Sequence, residues 1–231
     1  MKVDIGIIGA MEPEVEALVA ELVEAESRII SGITFYTGRL FSKSVAIARC
    51  GIGKVFAAVC AEIMILEFSP NLLVNTGVGG ALADGLKTGD VVIARDLAQH
   101  DMDTSAIGDP KGLVSGINKI YFDADARAAE ILSKAASELG LSFRVGRIAS
   151  GDRFVASAEE KKRITDDFSA DVCEMEGAAI AHVAYINSTP FAVVRAISDS
   201  ADGEAGMSYS EFLPVAARNS QLLICELIKL Y

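Results

Sequence analysis

Val3-Asp4-Ile5-Gly6-Ile7-Ile8-Gly9-Ala10-Met11-Glu12-Pro13-Glu14-Val15 opens the chain with a short apolar, β-rich run that stops at glycine and turns at once into a helix start. A strand that is apolar on successive residues, instead of alternate ones, is buried on both faces. Proline is tolerated in a first helical turn, where its missing N–H has no partner to lose. Val15, Leu18, Val19, Leu22 and Val23 then recur at helical spacing, which predicts a helix through Val23 with Glu14 in its first turn.

The same alternation continues outward. Strands are predicted over Thr34–Leu40 and Ser44–Ala48, and Gly51-Ile52-Gly53-Lys54 opens a helix through Phe68. Leu72–Thr76 reads as a buried strand ending in a glycine-rich turn, Gly77-Val78-Gly79-Gly80, and Val91–Leu97 as another that ends near His100. Asp101–Gly116 lacks apolar periodicity and reads as a long functional loop or flap. Helices over Ala124–Leu139, Glu159–Phe168 and Gly177–Ile186 and strands over Phe143–Ser150, Asp171–Cys173 and Phe191–Ile197 follow. A last helix carries Phe212, Ala216, Leu223, Leu227 and Leu230 on one side. With no repeat or linker, the pattern predicts a single α/β domain over residues 1–231, a three-layer α/β/α sandwich.

Composition narrows the function. With 21 Lys+Arg against 32 Asp+Glu the net charge is −11, which argues against nucleic acid as a partner. No stretch reaches the roughly 20 apolar residues of a membrane span, and the acidic residues after Met11 exclude a signal peptide. Cys50, Cys60, Cys173 and Cys225 form no C-x-x-C pair and sit in apolar sequence, as buried thiols of a reducing compartment do. A cytoplasmic protein free of membrane contact is expected.

Ligands of α/β sheets gather at the carboxyl ends of strands, and acids dominate those ends here. Glu12 and Glu14 follow the first strand, Glu174 and Glu176 follow Asp171–Cys173, and Asp199 and Asp202 follow the strand ending at Ile197. Each alone could serve a helix dipole; their number points to a carboxylate-lined pocket. The Gly77–Gly80 segment fits neither nucleotide-phosphate template, leaving close approach of backbone to an uncharged ligand. His100-Asp101-Met102-Asp103 has adjacent donors and no second histidine nearby, so no metal is expected. Phe154, after Ser150-Gly151-Asp152-Arg153, is either core or an aromatic face for a purine.

Six segments occur in one order: Gly6–Glu14, Gly51-Ile52-Gly53-Lys54, Asn75-Thr76-Gly77, Ser150-Gly151-Asp152-x-Phe154, Glu174-Met175-Glu176 and Arg195-Ala196-Ile197-Ser198-Asp199. Together they resemble the bacterial 5′-methylthioadenosine/S-adenosylhomocysteine nucleosidases of the purine nucleoside phosphorylase-like superfamily, from Lys2 to the last helix. The resemblance implies a nucleoside phosphorylase-like fold with a central twisted mixed sheet, and hydrolysis of the N-glycosidic bond of methylthioadenosine and S-adenosylhomocysteine, with 5′-deoxyadenosine as a further substrate. It implies Glu14 as base on the attacking water, Asp199 as acid at adenine N7, and Arg195 placing Glu14 and the water. Glu176 would bind the ribose hydroxyls against Met175, and Phe154 and the Val155 backbone the adenine. Met11, Ile52, Ile107 and Tyr209 would take the 5′-thio group, and Val78, Gly79, Glu174 and Ser198 complete the substrate site. Val78 departs from the family, where a serine helps hold the water, and Gly108-Asp109-Pro110-Lys111 lacks an expected aromatic. A homodimer is implied, with apolar residues around Ile107 and Phe122 lending a wall to the partner's pocket, and no cofactor. The alternatives are an aminodeoxyfutalosine nucleosidase, a purine nucleoside phosphorylase disfavoured by acids where phosphate would sit, and a non-catalytic adenine-nucleoside sensor.

Overall fold

The structure, a computed structural model, describes residues 1–201 and 205–231, with the side chains of 205–210 outside that set. Asp202 and the side chain of Tyr209 therefore lie outside what is described. In chain order the elements are β1 (Ile5–Gly9), α1 (Glu12–Ala20), β2 (Val23–Ile30), β3 (Ile33–Leu40), β4 (Lys43–Arg49), α2 (Lys54–Phe68), β5 (Leu72–Ala81) and β6 (Val91–Gln99). A single 3-10 turn (Ser105–Ile107) precedes β7 (Phe122–Asp123), α3 (Ala126–Glu138), β8 (Phe143–Ser150), α4 (Ala158–Phe168), β9 (Val172–Glu174), α5 (Gly177–Ile186), β10 (Phe191–Asp199) and α6 (Ala205–Leu230).

The strands build one mixed sheet with helices on both faces. Period-two alternation divides them: Ile5, Ile7, Val45, Ile47, Leu72 and Val74 face α1, α3 and α6, while Ile8, Ala46, Ala48 and Leu73 face α2 and α5. The sheet is sandwiched as the sequence rhythm requires. Among the described residues no helix is long and apolar enough to cross a membrane.

Strand order runs β10-β6-β8-β9-β5-β1-β4-β3-β2, and β10 also pairs with β5. Strands β5, β10, β6, β8 and β9 thus close on themselves at one end of the sheet. On one edge of β5, β1 pairs in parallel with Leu72–Asn75, whereas β9 pairs antiparallel only at Gly80 and Ala81. Between these partners the edge of β5 at 76–79 is unpaired by strand, and that gap is where the functional side chains collect.

Two segments differ from the sequence reading. The first helix stops at Ala20, and Val23–Ile30 is an edge strand paired antiparallel with β3. It is exposed along almost its whole length, so it has no apolar face to announce it; Leu22 still packs on the core, which is why it mimicked a helical position. The predicted glycine turn after Thr76 is strand as well, continuing to Ala81. None of Gly77, Gly79 and Gly80 has positive φ. They are glycine because neighbours occupy the side-chain space: a Cβ on Gly79 would lie 2.6 Å from Val172 Cγ1 and 2.9 Å from the Cys173 carbonyl. Gly79→Ala therefore wedges β9 from β5, and its urea midpoint is expected to report a loss of about 1–3 kcal/mol.

Candidate active site

Glu14 sits in the first turn of α1 and is buried. Its Oε2 accepts the Ala10 and Met11 amides at 2.7 and 2.9 Å, and its Oε1 accepts the Val78 amide at 3.2 Å across the gap in β5. A Cβ on Gly77 would lie 2.6 Å from Glu14 Oε1 and 3.2 Å from Arg195 Nη1, so only glycine lets these two charged groups face the same backbone. Burial pushes the Glu14 pKa up, and Arg195 and the three N–H donors oppose it without cancelling it. The helix start alone would favour the anion; desolvation is the larger influence.

Arg195 on β10 is 1% exposed. Its Nε donates to Glu174 Oε2 at 3.0 Å, its Nη2 donates to Glu174 and to the Asn75 side-chain oxygen, and its Nη1 to the Val194 carbonyl at 3.1 Å. Glu176 Oε2 stands 3.8 Å from Nη2. Arg195 acts on Glu14 through space, not through a hydrogen bond. Asn75 extends the lattice by donating to the Ile8 carbonyl at 2.9 Å, which ties β1, β5 and β10 together.

The two carboxylates after β9 are pushed apart. Although burial raises Glu174, the Arg195 charge, the Ser150 hydroxyl and the Gly177 amide hold its pKa below the ordinary value. Glu176 is pushed up to about 8 by burial and by the Glu174 charge, against the pull of Arg195 and the Gly53 amide, which donates to its Oε1 at 2.9 Å. Asp199, at the end of β10, is buried; its Oδ2 accepts the Ser198 hydroxyl at 2.8 Å and its Oδ1 the Ala201 amide at 2.9 Å.

These groups line a cavity of about 360 Å³, within the range of small-ligand sites. Glu14, Glu174, Glu176 and Asp199 share it with Met11, Ile52, Val78, Gly79, Phe154, Val155, Met175 and Ser198. Phe154 and Ile52 are half-exposed at its mouth, so Phe154 is not core, whereas Val155 is buried. Arg195 stands behind the wall. Ile107 is not brought to the cavity: it is 82% exposed on the 3-10 turn. Phe122 itself is fully buried, stacked on His182 and edge-on to Tyr185. Glu12 points away and pairs with Arg49 at 3.1 Å on the surface. Asn75 and Ser150 hold the site without having been singled out; both stand in the motifs quoted above. Ala10, Gly80 and Arg153, which stand inside the quoted segments, and Cys173 also line the wall. Asp101 holds Lys54, and among the described residues no cluster of His, Cys, Asp and Glu is disposed to bind a metal.

A mixed sheet that closes at one end, with a carboxylate-lined cavity at the divergence of β1 and β9, defines an α/β enzyme for a small polar ligand. A family profile described as the phosphorylase superfamily matches residues 4–229. The 5′-methylthioadenosine/S-adenosylhomocysteine nucleosidase of Actinobacillus succinogenes is 42% identical over 97% of this chain and 96% of its own. The crystal structure of the Neisseria meningitidis nucleosidase of that name, in complex with methylthio-immucillin-A, superposes with a TM-score of 0.95 at 40% identity, covering 98% of both chains. Futalosine hydrolase of Helicobacter pylori superposes with a TM-score of 0.94 at 35% identity, covering 98% of this chain and 97% of its own. The chain belongs to the phosphorylase superfamily and, within it, to the 5′-methylthioadenosine/S-adenosylhomocysteine nucleosidases.

Two outcomes follow from the charges. Glu174→Gln strands the Arg195 guanidinium in the core and is expected to cost about 3–5 kcal/mol in denaturant unfolding. Glu176 binds its proton more tightly folded than unfolded, so its contribution to stability is lost as pH rises from about 4.5 to about 8. Over that window Glu176→Gln should gain on the native chain in Tm as pH rises.

Proposed function

We propose that the chain hydrolyses the N-glycosidic bond of 5′-methylthioadenosine and S-adenosylhomocysteine, releasing adenine and the 5′-substituted ribose, with 5′-deoxyadenosine turned over by the same site. The observation that carries this reading is the cavity's charge. Four carboxylates line it, and its only lining cation among the described residues is Arg153, whose side chain is 74% exposed and within 3.4 Å of Glu160. An oxocarbenium-like ribosyl centre is stabilised by such walls. With no other cation facing the cavity among the described residues, a phosphate dianion has no partner there, which disfavours phosphorolysis.

In this reading Glu14 is the base. Backbone amides on both its oxygens fix the carboxylate, and its raised pKa makes it a stronger base than an exposed glutamate. The Val78 side chain carries no hydroxyl, so water is oriented by Glu14 itself, in the field of Arg195. Asp199 is the acid at adenine N7, braced by Ser198 and the Ala201 amide. Phe154 supplies the aromatic face and Val155 the backbone contact to the base. Glu176, titrating near 8, can both give and accept hydrogen bonds to the ribose hydroxyls, with Met175 beside the sugar. Met11 and Ile52 take the 5′-thio group. Side-chain acid and base suffice for this chemistry, and no cofactor is required.

The chain works as a homodimer in the cytoplasm. Val55 and Val59 on α2 and Ile186 on α5 line one shallow surface depression and are exposed, an apolar face that a second copy of the chain would cover. Ile107, on its exposed turn, is free to cross to a partner's pocket. All four cysteines are unpaired, in keeping with a reducing setting. A second substrate, 6-amino-6-deoxyfutalosine, is favoured by the likeness to futalosine hydrolase and by an Ile52 that is 55% exposed and leaves the 5′ side open.

Adenine release from methylthioadenosine in phosphate-free buffer tests the reaction. Glu14→Gln and Asp199→Asn should each lower kcat by about 10²–10⁴, while activity that appears only with added phosphate would sink the hydrolase reading. The acid limb of the native pH profile should lie above the ordinary glutamate value of 4.5, since activity is lost as pH falls through the raised Glu14 pKa. Sedimentation should give twice the chain mass of 24.3 kDa.

A further inference from the structure

The lattice around Arg195 does not use a second polar circuit, which lies outside the cavity and joins three loops at its mouth. These loops are 51–53 after β4, the stretch that starts at His100 after β6, and 151–155 after β8. Lys54 Nζ donates to Asp101 Oδ1 at 2.6 Å and to Gln99 Oε1 at 3.2 Å. The other Asp101 oxygen accepts the Asp152 amide at 2.9 Å, and Asp152 Oδ1 accepts the Lys54 amide at 2.7 Å, which closes the circuit. Gly53 fits against it only as glycine: its φ is +101°, and a Cβ would stand 3.0 Å from Asp152 Oδ1.

Each end of this circuit is one residue from the site. Gly53 donates to Glu176 Oε1 at 2.9 Å, and Arg153 and Phe154, which line the cavity, follow Asp152 directly. Lys54 and Asp101 themselves do not line it. Their side chains are 18% and 32% exposed, sheltered enough for the pair to hold its geometry against solvent. Gly51 and Gly151 are each held to their own strand neighbours by the Ala10 and Glu174 carbonyls, at 3.1 and 3.0 Å, and the circuit adds the tie of one loop to the other, so that their relative placement does not have to be ordered by the ligand.

We propose that Lys54 and Asp101 are positioning residues that lock the 51–53 loop to the 151–155 loop, one arm aiming Glu176 through Gly53 and the other setting Phe154 through Asp152. The proposal rests on the cavity being a nucleoside site. It concerns nucleoside affinity, not the chemical step, because neither residue reaches the reacting atoms. Lys54→Met removes the cation and keeps the backbone bond to Asp152. Asp101→Asn leaves one acceptor where two donors converge, so one arm must break.

The test is KM, kcat and the adenine inhibition constant for Lys54→Met, Asp101→Asn, the double variant and Lys54→Arg. Each of the first two should raise KM and the adenine constant about 5–20-fold with kcat within about threefold, the pattern of lost uniform binding. The double variant should be no worse than the weaker single, because both cut one circuit, and Lys54→Arg, which keeps the charge, should stay near the native KM. Native KM in folded single variants, additive losses, or a fall in kcat at constant KM would overturn the proposal. If Asp101→Asn fails to fold, the Lys54→Met and Lys54→Arg pair decides it by the same criteria. Should the native chain release no adenine from methylthioadenosine, the substrate reading fails and not the clasp, which adenine calorimetry on the same variants still reads by the same fold-changes.

Discussion

Arg195 is a guanidinium almost without access to water, and the site is arranged around keeping it satisfied. Glu174 accepts two of its N–H groups, Asn75 another, and the Val194 carbonyl a further one. Glu174 is in turn saturated by Ser150 and by the amides of Glu176 and Gly177. A buried pair with every lone pair occupied contributes little net stability, but removing either member leaves an uncompensated charge. What the pair contributes is position. It fixes β10, β9 and the start of α5 relative to β5, and from that frame Glu14, Glu176 and Asp199 reach one cavity.

The second constraint is space along β5. Partners change there from β1 to β9, and the backbone between them is free to take a side-chain carboxylate as hydrogen-bond acceptor, which it does at the Val78 amide. Glycines at 77, 79 and 80 let Glu14, the β9 strand and Asp199 come against the strand where any side chain would collide. A mobile loop could not keep two carboxylates and a strand at these approaches. A strand anchored on both sides can, because its own hydrogen bonds carry the rigidity that the site requires.

Strands buried on both faces were legible in the sequence because their apolar runs end abruptly, as at Gly9; the last ran two residues past the predicted Ile197, to Asp199. The edge strand β2 was not, since its pairing is made by backbone atoms and its side chains face water on both sides. The glycines of β5 looked like a turn because sequence gives composition and not the neighbours that exclude a Cβ. Grouping acids by strand end picked out Glu14, Glu174, Glu176 and Asp199, which line one cavity; it also drew in Asp202, outside the described residues, and Glu12, whose side chain meets Arg49 at the surface. The apolar pattern left Phe154 open between core and ligand face, the resemblance assigned it to adenine, and its half-exposed place in the cavity lining excludes the core. Ile107 and the fully buried Phe122 have the same apolar character, and only tertiary packing separates them.

The remaining question is how four carboxylates coexist in one cavity. Two of them share a single cation unequally: Glu174 takes the hydrogen bonds of Arg195 and stays ionised, and its charge is one reason Glu176 holds a proton up to about pH 8. Near neutral pH the pair therefore carries closer to one negative charge than two. Glu14 is restrained in the same direction by burial. The site thus limits its own negative charge, and in the proposed reaction its carboxyl groups would ionise or donate as positive charge develops on the ribosyl group. Such a wall responds to charge that appears during reaction more than to charge on the incoming ligand, and that difference is what lowers a barrier and does not merely tighten binding.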